Sequence, residues 1–261
     1  MVVRPRGALG LFLALTATAS LAVGCGSSQG DAHSGAGPGG HAAMEGGEAG
    51  EVGGLDIASP EGYATTLQLM HGHLLAGREL ITKGMATEAQ PHIAHPIDEL
   101  YGDLEPELER RGAAPFLDQL IALKTRLRAA PEAPETGAAL EAVETSIRQA
   151  MAVLPAQQRQ DPAFVVGVIR ELLATAAEEY DAAVADDRFV EVLEYQDSRG
   201  FLQAAEQLFQ PIAPQLQRSN PEQAARFERN LAELRMAWPS ILPPATPVLT
   251  PDQVTALARG V

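Results

Sequence analysis

Apolar residues recur every three or four positions from residue 59 to residue 240, which is the spacing of amphipathic helices. No stretch of this region shows the alternation of apolar and polar residues that is typical of a half-buried strand. Ser59 and Pro60 predict the start of the first helix. Serine is a typical capping residue, and proline is tolerated at the first helical position. The pattern predicts helices over residues 60–83, 87–111, 115–129, 135–154, 162–186, 190–210 and 221–238.

These predicted helices give an all-α fold. The turns between them are short and polar, which favours an antiparallel helical bundle, either a single bundle or two small bundles packed together. We expect the bundle to span residues 58–240 and a proline-rich tail with one short helix to span 241–261. Pro96 is expected at the first position of the main part of the second helix, with Asp98 and Glu99 in its first turn.

The first 24 residues have the features of a signal peptide. Arg4 and Arg6 precede an apolar stretch, residues 9–21, that is too short for a permanent membrane span. Residues 21–25, Leu-Ala-Val-Gly-Cys, resemble the bacterial lipobox, whose cysteine is lipidated and becomes the new N-terminus. We therefore expect a lipid anchor on Cys25, the alternative being an ordinary secretory signal followed by an unmodified cysteine. Gly26 occupies the position where aspartate would favour the inner membrane, so an outer-membrane anchor facing the periplasm is expected.

Residues 25–57 comprise this cysteine and a tether rich in glycine and histidine. It has too few apolar side chains to offset the entropy of ordering the chain, so we expect it to be disordered. His33, His41 and Met44 lie in the tether, where we interpret them as solvated residues.

The net charge of the chain argues against some classes of binding partner. The chain has 19 basic and 34 acidic residues, and Arg4 and Arg6 both lie in the predicted leader. The chain from Cys25 onward therefore carries 17 basic against 34 acidic residues, which argues against binding to nucleic acid or to anionic lipid. Membrane attachment is expected through the lipid alone. With one cysteine the chain has no intrachain disulfide.

Histidine is the residue type with the most uneven distribution. All histidines of the predicted bundle lie within residues 71–95. His92, His95 and Glu99 are spaced i, i+3 and i+7, so they share one face of a continuous helix. His71 and His73 lie about 200° apart on a helix, so at most one of them can join that face.

We favour His73, because the small residues Gly72, Ala76 and Gly77 beside it allow a second helix to approach closely. Imidazole and carboxylate together suit iron, zinc or copper. The candidate ligands of a transition metal, iron or copper, are His73, His92, His95, Glu99 and Asp98. The alternative is that these histidines cap helices or face solvent, with no metal and no other cofactor.

A second polar cluster, which contains Tyr195, Asp197 and Arg199, interrupts an apolar helix. Buried polar groups need partners, so this cluster either anchors one helix to another or supplies carboxylates to a shared site. We found no His-Glu-x-x-His run, no Ser-His-Asp arrangement and no glycine-rich phosphate loop. The sequence therefore predicts a protein that is not an enzyme.

The stretch from His92 to Glu99, followed by residues 193–200, resembles the imelysin-like proteins. This bacterial envelope family includes the periplasmic component of ferrous-iron uptake systems. The resemblance implies an all-helical fold of two related four-helix bundles and a link to iron acquisition. It also implies that His95 corresponds to the family's signature histidine and Asp98 to its acid three residues later.

The sequence thus predicts a lipid-anchored periplasmic protein that binds iron or copper and takes part in metal uptake or handling. The alternative is a non-catalytic helical scaffold of the cell envelope that docks another envelope protein and holds no metal.

Overall fold

The computed structural model describes residues 53–261, and helices dominate this part of the chain. A π-helical turn, Pro96–Leu100, continues the second helix into the third, and two short strands, β1 (Val184–Ala185) and β2 (Arg188–Phe189), form a hairpin. The helices are α1 (Pro60–Thr82), α2 (Ala86–His95), α3 (Tyr101–Arg111), α4 (Leu117–Ala129), α5 (Pro134–Ala152), α6 (Ala156–Arg159), α7 (Pro162–Ala183), α8 (Val192–Ser219), α9 (Pro221–Leu234) and α10 (Pro251–Arg259). The predicted all-α class is confirmed. The predictions for the signal peptide, Cys25 and most of the tether fall outside the described residues.

Side-chain caps fix several helix starts where the sequence predicts them. The Ser59 hydroxyl accepts a hydrogen bond from the Gly62 amide at 2.9 Å, and this places the start of α1 at Pro60. Asp161 caps α7 in the same way, and its carboxylate accepts from the Ala163 amide at 3.0 Å. Each cap satisfies an amide that has no partner within its own helix.

Some helix boundaries differ from those that the sequence predicts. The helix expected to end near residue 210 continues to Ser219 through two prolines, because Ile212 and Leu216 remain buried and extend its apolar face. Pro96 is at the first position of a helical segment, with Asp98 and Glu99 in its first turn as expected, but this segment is a π-helical turn that follows α2 without a break. In this turn the Tyr101 amide donates to the Pro96 carbonyl.

The fifth predicted helix is also too long at its C-terminal end. It stops at Ala183, and the chain turns back through Asp186 and Asp187, whose φ angles are 51° and 57°. Aspartate tolerates this left-handed conformation better than most residues do. Strands β1 and β2 then pair antiparallel, with Val184 opposite Phe189.

Helix α1 packs against both halves of the fold. On one side it contacts α2 and α5, and on the other it contacts α7 and α8. Helices α7, α8, α9 and α10 pack together, and α10 contacts both α7 and α9. The tail is tied to this group, because Val254 is buried and Arg170 donates to the carbonyl of Val261 at 2.9 Å. Within residues 53–261, no helix combines the length and the apolar character needed to cross a membrane.

Helices α1 and α8 cross at two glycines. A Cβ atom on Gly200 would lie 2.2 Å from the Gly72 carbonyl oxygen, and one on Gly72 would lie 2.5 Å from Cδ1 of Phe201. The two backbones are therefore closer than any side chain would allow. The crossing brings His73, next to Gly72, alongside the turn of α8 that carries Asp197.

We predict that Gly200→Ala lowers the free energy of unfolding by about 1–3 kcal/mol, because the added methyl group meets backbone atoms that cannot rotate away. The matched control is Gly137→Ala, at an exposed position of α5 where a Cβ would meet nothing within 4 Å. That change should raise the free energy of unfolding by about 0.5–1 kcal/mol, because alanine has the higher helix propensity. Urea denaturation measures both. A Gly200→Ala protein as stable as the wild type would contradict the crossing.

Candidate metal centre

The site is built around the carboxylate of Asp197, in the second turn of α8, whose side chain is 1% exposed. Nδ1 of His73, from α1, lies 2.6 Å from its Oδ1 atom. Nδ1 of His92, from α2, lies 2.6 Å from the same oxygen. Both histidine side chains are fully buried. Three helices therefore meet at one carboxylate oxygen.

The charge of this carboxylate fixes the protons of its partners. Burial alone would raise the pKa of Asp197, but the adjacent His73 and His92 outweigh burial and hold that pKa well below its usual range. An ionised carboxylate only accepts hydrogen bonds, so we infer that both Nδ1 atoms carry a proton and donate it to Oδ1.

His92 is held at both ring nitrogens. Its Nε2 atom lies 2.9 Å from Oε1 of Gln196, the residue that precedes Asp197 in α8. Gly77 of α1 lies against α2 at this point, and a Cβ on it would lie 3.6 Å from Cβ of His92. Glycines in α1 thus allow two helices to approach closely, α8 at Gly72 and α2 at Gly77.

His95 lies at the edge of the cluster. Its Nδ1 atom is 3.3 Å from Oδ2 of Asp197, and its ring packs edge-on against His73 with centroids 5.3 Å apart. Within residues 53–261, neither that Nδ1 nor that Oδ2 has a hydrogen-bond partner of good geometry, although both atoms are buried. Burial lowers the pKa of His95, but the Asp197 carboxylate outweighs it, so the net shift is upward.

Glu99 lies on the solvent side of His95. Its Oε1 atom is 3.7 Å from Nε2 of His95, and the two side chains are 17% and 12% exposed. His95 immediately precedes the π-helical turn and Glu99 lies within it, and such turns are frequently found at functional sites. His95 and Glu99 therefore connect the buried cluster with the surface.

The structure separates Asp98 from the other predicted ligands. Its side chain is 57% exposed and accepts a hydrogen bond from Lys124 of α4 at 3.1 Å. His71 also lies apart from the cluster, where burial lowers its pKa and the nearest charges are those of Glu144, Arg148 and Arg78. Of the predicted ligands, the structure brings together His73, His92, His95 and Glu99.

The predicted polar cluster on α8 splits into two parts. Arg199 joins helices, because its Nε donates to Glu79 of α1 at 2.9 Å and its Nη1 donates to the Trp238 carbonyl at 2.6 Å. The Tyr195 hydroxyl donates to the Ser240 carbonyl at 2.8 Å. Asp197 instead faces the histidines, so the carboxylate expected as a helix anchor or as part of a shared site lies at the centre of the site.

Gln196 is the residue that sequence reasoning missed. It lies next to Asp197 in a run of three consecutive buried polar residues of α8, which ends at Ser198. A helix buries such a run only when each side chain finds a partner, and here Gln196 contacts His92 while Ser198 accepts from Trp238 at 2.7 Å. Three consecutive polar residues within an apolar helix were the sequence signal for this part of the site.

The chemistry of the cluster fits a divalent transition metal. One ligand atom from each of His73, His92 and Asp197 lies within 4.8 Å of the others. Two histidines and one carboxylate are the protein ligands of many non-haem Fe(II) sites. The 2.6 Å contacts are hydrogen bonds, whereas ligand atoms held at about 2.1 Å around a tetrahedral ion lie about 3.4 Å apart. An ion bound by Nδ1 of His73 and of His92 must therefore displace their protons.

Residues 155–261 match the family model of the iron permease-associated 4-helix bundle domain. The match covers less than half of the chain and includes α7, α8, α9 and α10. It supports an iron-related helical domain and is not a match to the imelysin-like family that the motif at His95 and Asp98 resembles. Asp197 and Gln196 lie inside the matched region, whereas the histidines precede it. No curated protein and no solved structure matches the chain.

We predict that Arg199→Met lowers the free energy of unfolding by about 1.5–3 kcal/mol, because it removes charge-assisted hydrogen bonds from a largely buried position. Arg226→Met, at an exposed position of α9, is the matched control and should change stability by less than about 0.5 kcal/mol. Urea denaturation compares the two variants. Equal losses would show that the contacts with Glu79 and Trp238 do not anchor α8.

Proposed function

We propose that this protein is a non-catalytic, lipid-anchored protein of the bacterial cell envelope that binds iron and takes part in iron uptake. The observation that carries the proposal is the convergence of His73, His92, His95 and Asp197 in the interior of the fold. The iron ion is the cargo, and ferrous iron suits this donor set of imidazole and carboxylate.

The family match supports iron over copper. Its description names an association with iron permeases, and the matched region supplies the carboxylate of the cluster. Cuprous ion prefers thiolate and thioether ligands, whereas the residues brought together here offer nitrogen and oxygen. A membrane-embedded iron permease is accordingly the proposed partner.

Access to the cluster supports handling of iron in transit. The innermost side chains are fully buried, whereas His95 and Glu99 are partly exposed, so we place the entry of iron at these two residues. Both are polar residues that can contact a cation on its way in. A buried site with an exposed polar edge suits uptake and release more than permanent storage.

Lipidation of Cys25 would hold the protein at a membrane, as the sequence predicts. The strong negative charge of the chain gives no attraction to anionic lipid, so the lipid would provide the attachment. An outer-membrane position rests on Gly26 alone and stays a prediction.

A scaffold without metal is the second candidate. It is favoured by the two 2.6 Å hydrogen bonds to Asp197, which already satisfy one of its oxygens within the protein. In that case the cluster would only hold α1, α2 and α8 together. Metal binding distinguishes the two candidates.

We predict that the purified protein binds about one equivalent of ferrous iron under anaerobic conditions. Asp197→Asn keeps the shape of the side chain but removes its charge. It should weaken binding by more than the roughly 10- to 100-fold that changes to outer-shell residues cost. Equilibrium dialysis with metal analysis measures the affinity. Iron at about 100 times its dissociation constant should also stabilise the wild type by about 2.7 kcal/mol.

Asp98→Asn is the matched control, because Asp98 lies near the cluster in sequence but pairs with Lys124 at the surface. It should bind iron as the wild type does. A His33→Ala/His41→Ala variant separates binding by the predicted tether from binding by the cluster. If the wild type takes up no stoichiometric iron, the metal-binding proposal is wrong and the scaffold remains.

A further inference from the structure

The hydrogen bonds of the cluster divide its histidines into two kinds. His92 uses both ring nitrogens, one with Asp197 at 2.6 Å and the other with Gln196 at 2.9 Å. His73 directs Nδ1 to the same Asp197 oxygen. Both Nδ1 atoms lie at hydrogen-bond distance from the same oxygen, so these two nitrogens and Oδ1 of Asp197 are already engaged with one another.

In the described part of the chain, the second oxygen of the Asp197 carboxylate, Oδ2, has no such hydrogen bonds. Oδ2 of Asp197 and Nδ1 of His95 are buried, and within residues 53–261 neither has a hydrogen-bond partner of good geometry. A buried polar atom without a partner is costly, and native proteins retain such atoms where something else satisfies them. These two atoms lie 3.3 Å apart. This is close to the roughly 3.4 Å that separates neighbouring ligands of a tetrahedral ion.

We propose that Nδ1 of His95 and Oδ2 of Asp197 are the protein ligands that receive the iron ion, and that His73 and His92 position the carboxylate without ligating it. This inference rests on the proposed function and assigns the atoms of the same site. The cation takes the place between two atoms that nothing else in the described structure satisfies. The protons of His73 and His92 stay where they are.

Glu99 supports this assignment from the far side of the ring. Its carboxylate lies 3.7 Å from Nε2 of His95, where it can hold a proton on that nitrogen when a cation takes the place of any proton on Nδ1. The tautomer with a proton on Nε2 leaves the lone pair of Nδ1 directed toward Asp197. A carboxylate that orients a metal-bound histidine through its second nitrogen is a common arrangement in metalloproteins.

The exposure of the side chains also favours the His95 side of the Asp197 carboxylate as the place where the cation binds. The His95 side chain is 12% exposed, whereas those of His73 and His92 are fully buried. A cation that enters past His95 and Glu99 therefore meets Oδ2 of Asp197 before it reaches Oδ1. Binding at the His73 and His92 nitrogens would require it to break two short hydrogen bonds and displace both protons.

Nitrogen NMR tests the assignment directly. We would label the histidines of the full protein with ¹⁵N and add zinc as a diamagnetic stand-in for ferrous iron. In the zinc-bound protein, Nδ1 of His95 should take the chemical shift of a metal-bound nitrogen. His73 and His92 should keep their Nδ1 protons. Loss of those protons, with an unchanged His95, would overturn the assignment.

Three variants of the cluster and one control variant test the assignment by their affinity for ferrous iron. His95→Ala should weaken binding by more than about 100-fold, because it removes a ligand. His73→Asn and His92→Asn each keep an N–H donor in the place of Nδ1, so each should weaken binding by at most about 10- to 100-fold. His71→Ala, outside the cluster, should bind as the wild type does. Circular dichroism checks that each variant is folded.

The outcomes separate this inference from the proposed function. If the wild type binds neither iron nor zinc, the proposed function fails and the assignment fails with it. If the wild type binds iron and His95→Ala binds it equally well, the proposed function stands and the assignment is wrong. Tight binding in His73→Asn and His92→Asn together with loss in His95→Ala supports both.

Discussion

One buried negative charge organises this protein. The Asp197 carboxylate is almost wholly removed from water, which costs several kcal/mol unless partners compensate for the lost hydration. Compensation comes from His73 on α1 and from His92 and His95 on α2. Helices that are far apart in the sequence are therefore tied to one carboxylate, and its removal would leave several imidazole rings in the interior without their acceptor.

The close approach of the helices makes this compensation possible. Gly72 and Gly200 let the backbones of α1 and α8 meet, and Gly77 lets α2 lie against α1. Hydrogen bonds of 2.6 Å leave little tolerance, so a shift of one helix by a methyl group would open the cluster. The packing of the fold and the geometry of the site therefore depend on the same small residues, and neither can change independently.

Sequence periodicity predicted most helices and the shared face of His92, His95 and Glu99, because spacing along a helix determines which side chains share a face. His73 was added to them because small residues beside it allow the helices to approach closely. Periodicity could not place Asp197 among them. That residue lies more than a hundred positions later in the chain, and its contact with His73 arises only from the crossing of α1 and α8. Local rules failed at the prolines of α8, through which the helix continues to Ser219, and they did not show that Asp98 points to Lys124 instead of the cluster.

The two halves of the chain contribute different parts of the site. The region that matches the iron permease-associated domain brings the carboxylate and Gln196, whereas every histidine of the cluster comes from residues that precede it. The family match alone therefore says nothing about metal ligation, since function depends on the site and not on the fold that carries it. A bundle with a buried aspartate but without the helical pair α1 and α2 would hold an uncompensated charge. The aspartate and the histidines make physical sense only together, so the N-terminal helices are an integral part of the site.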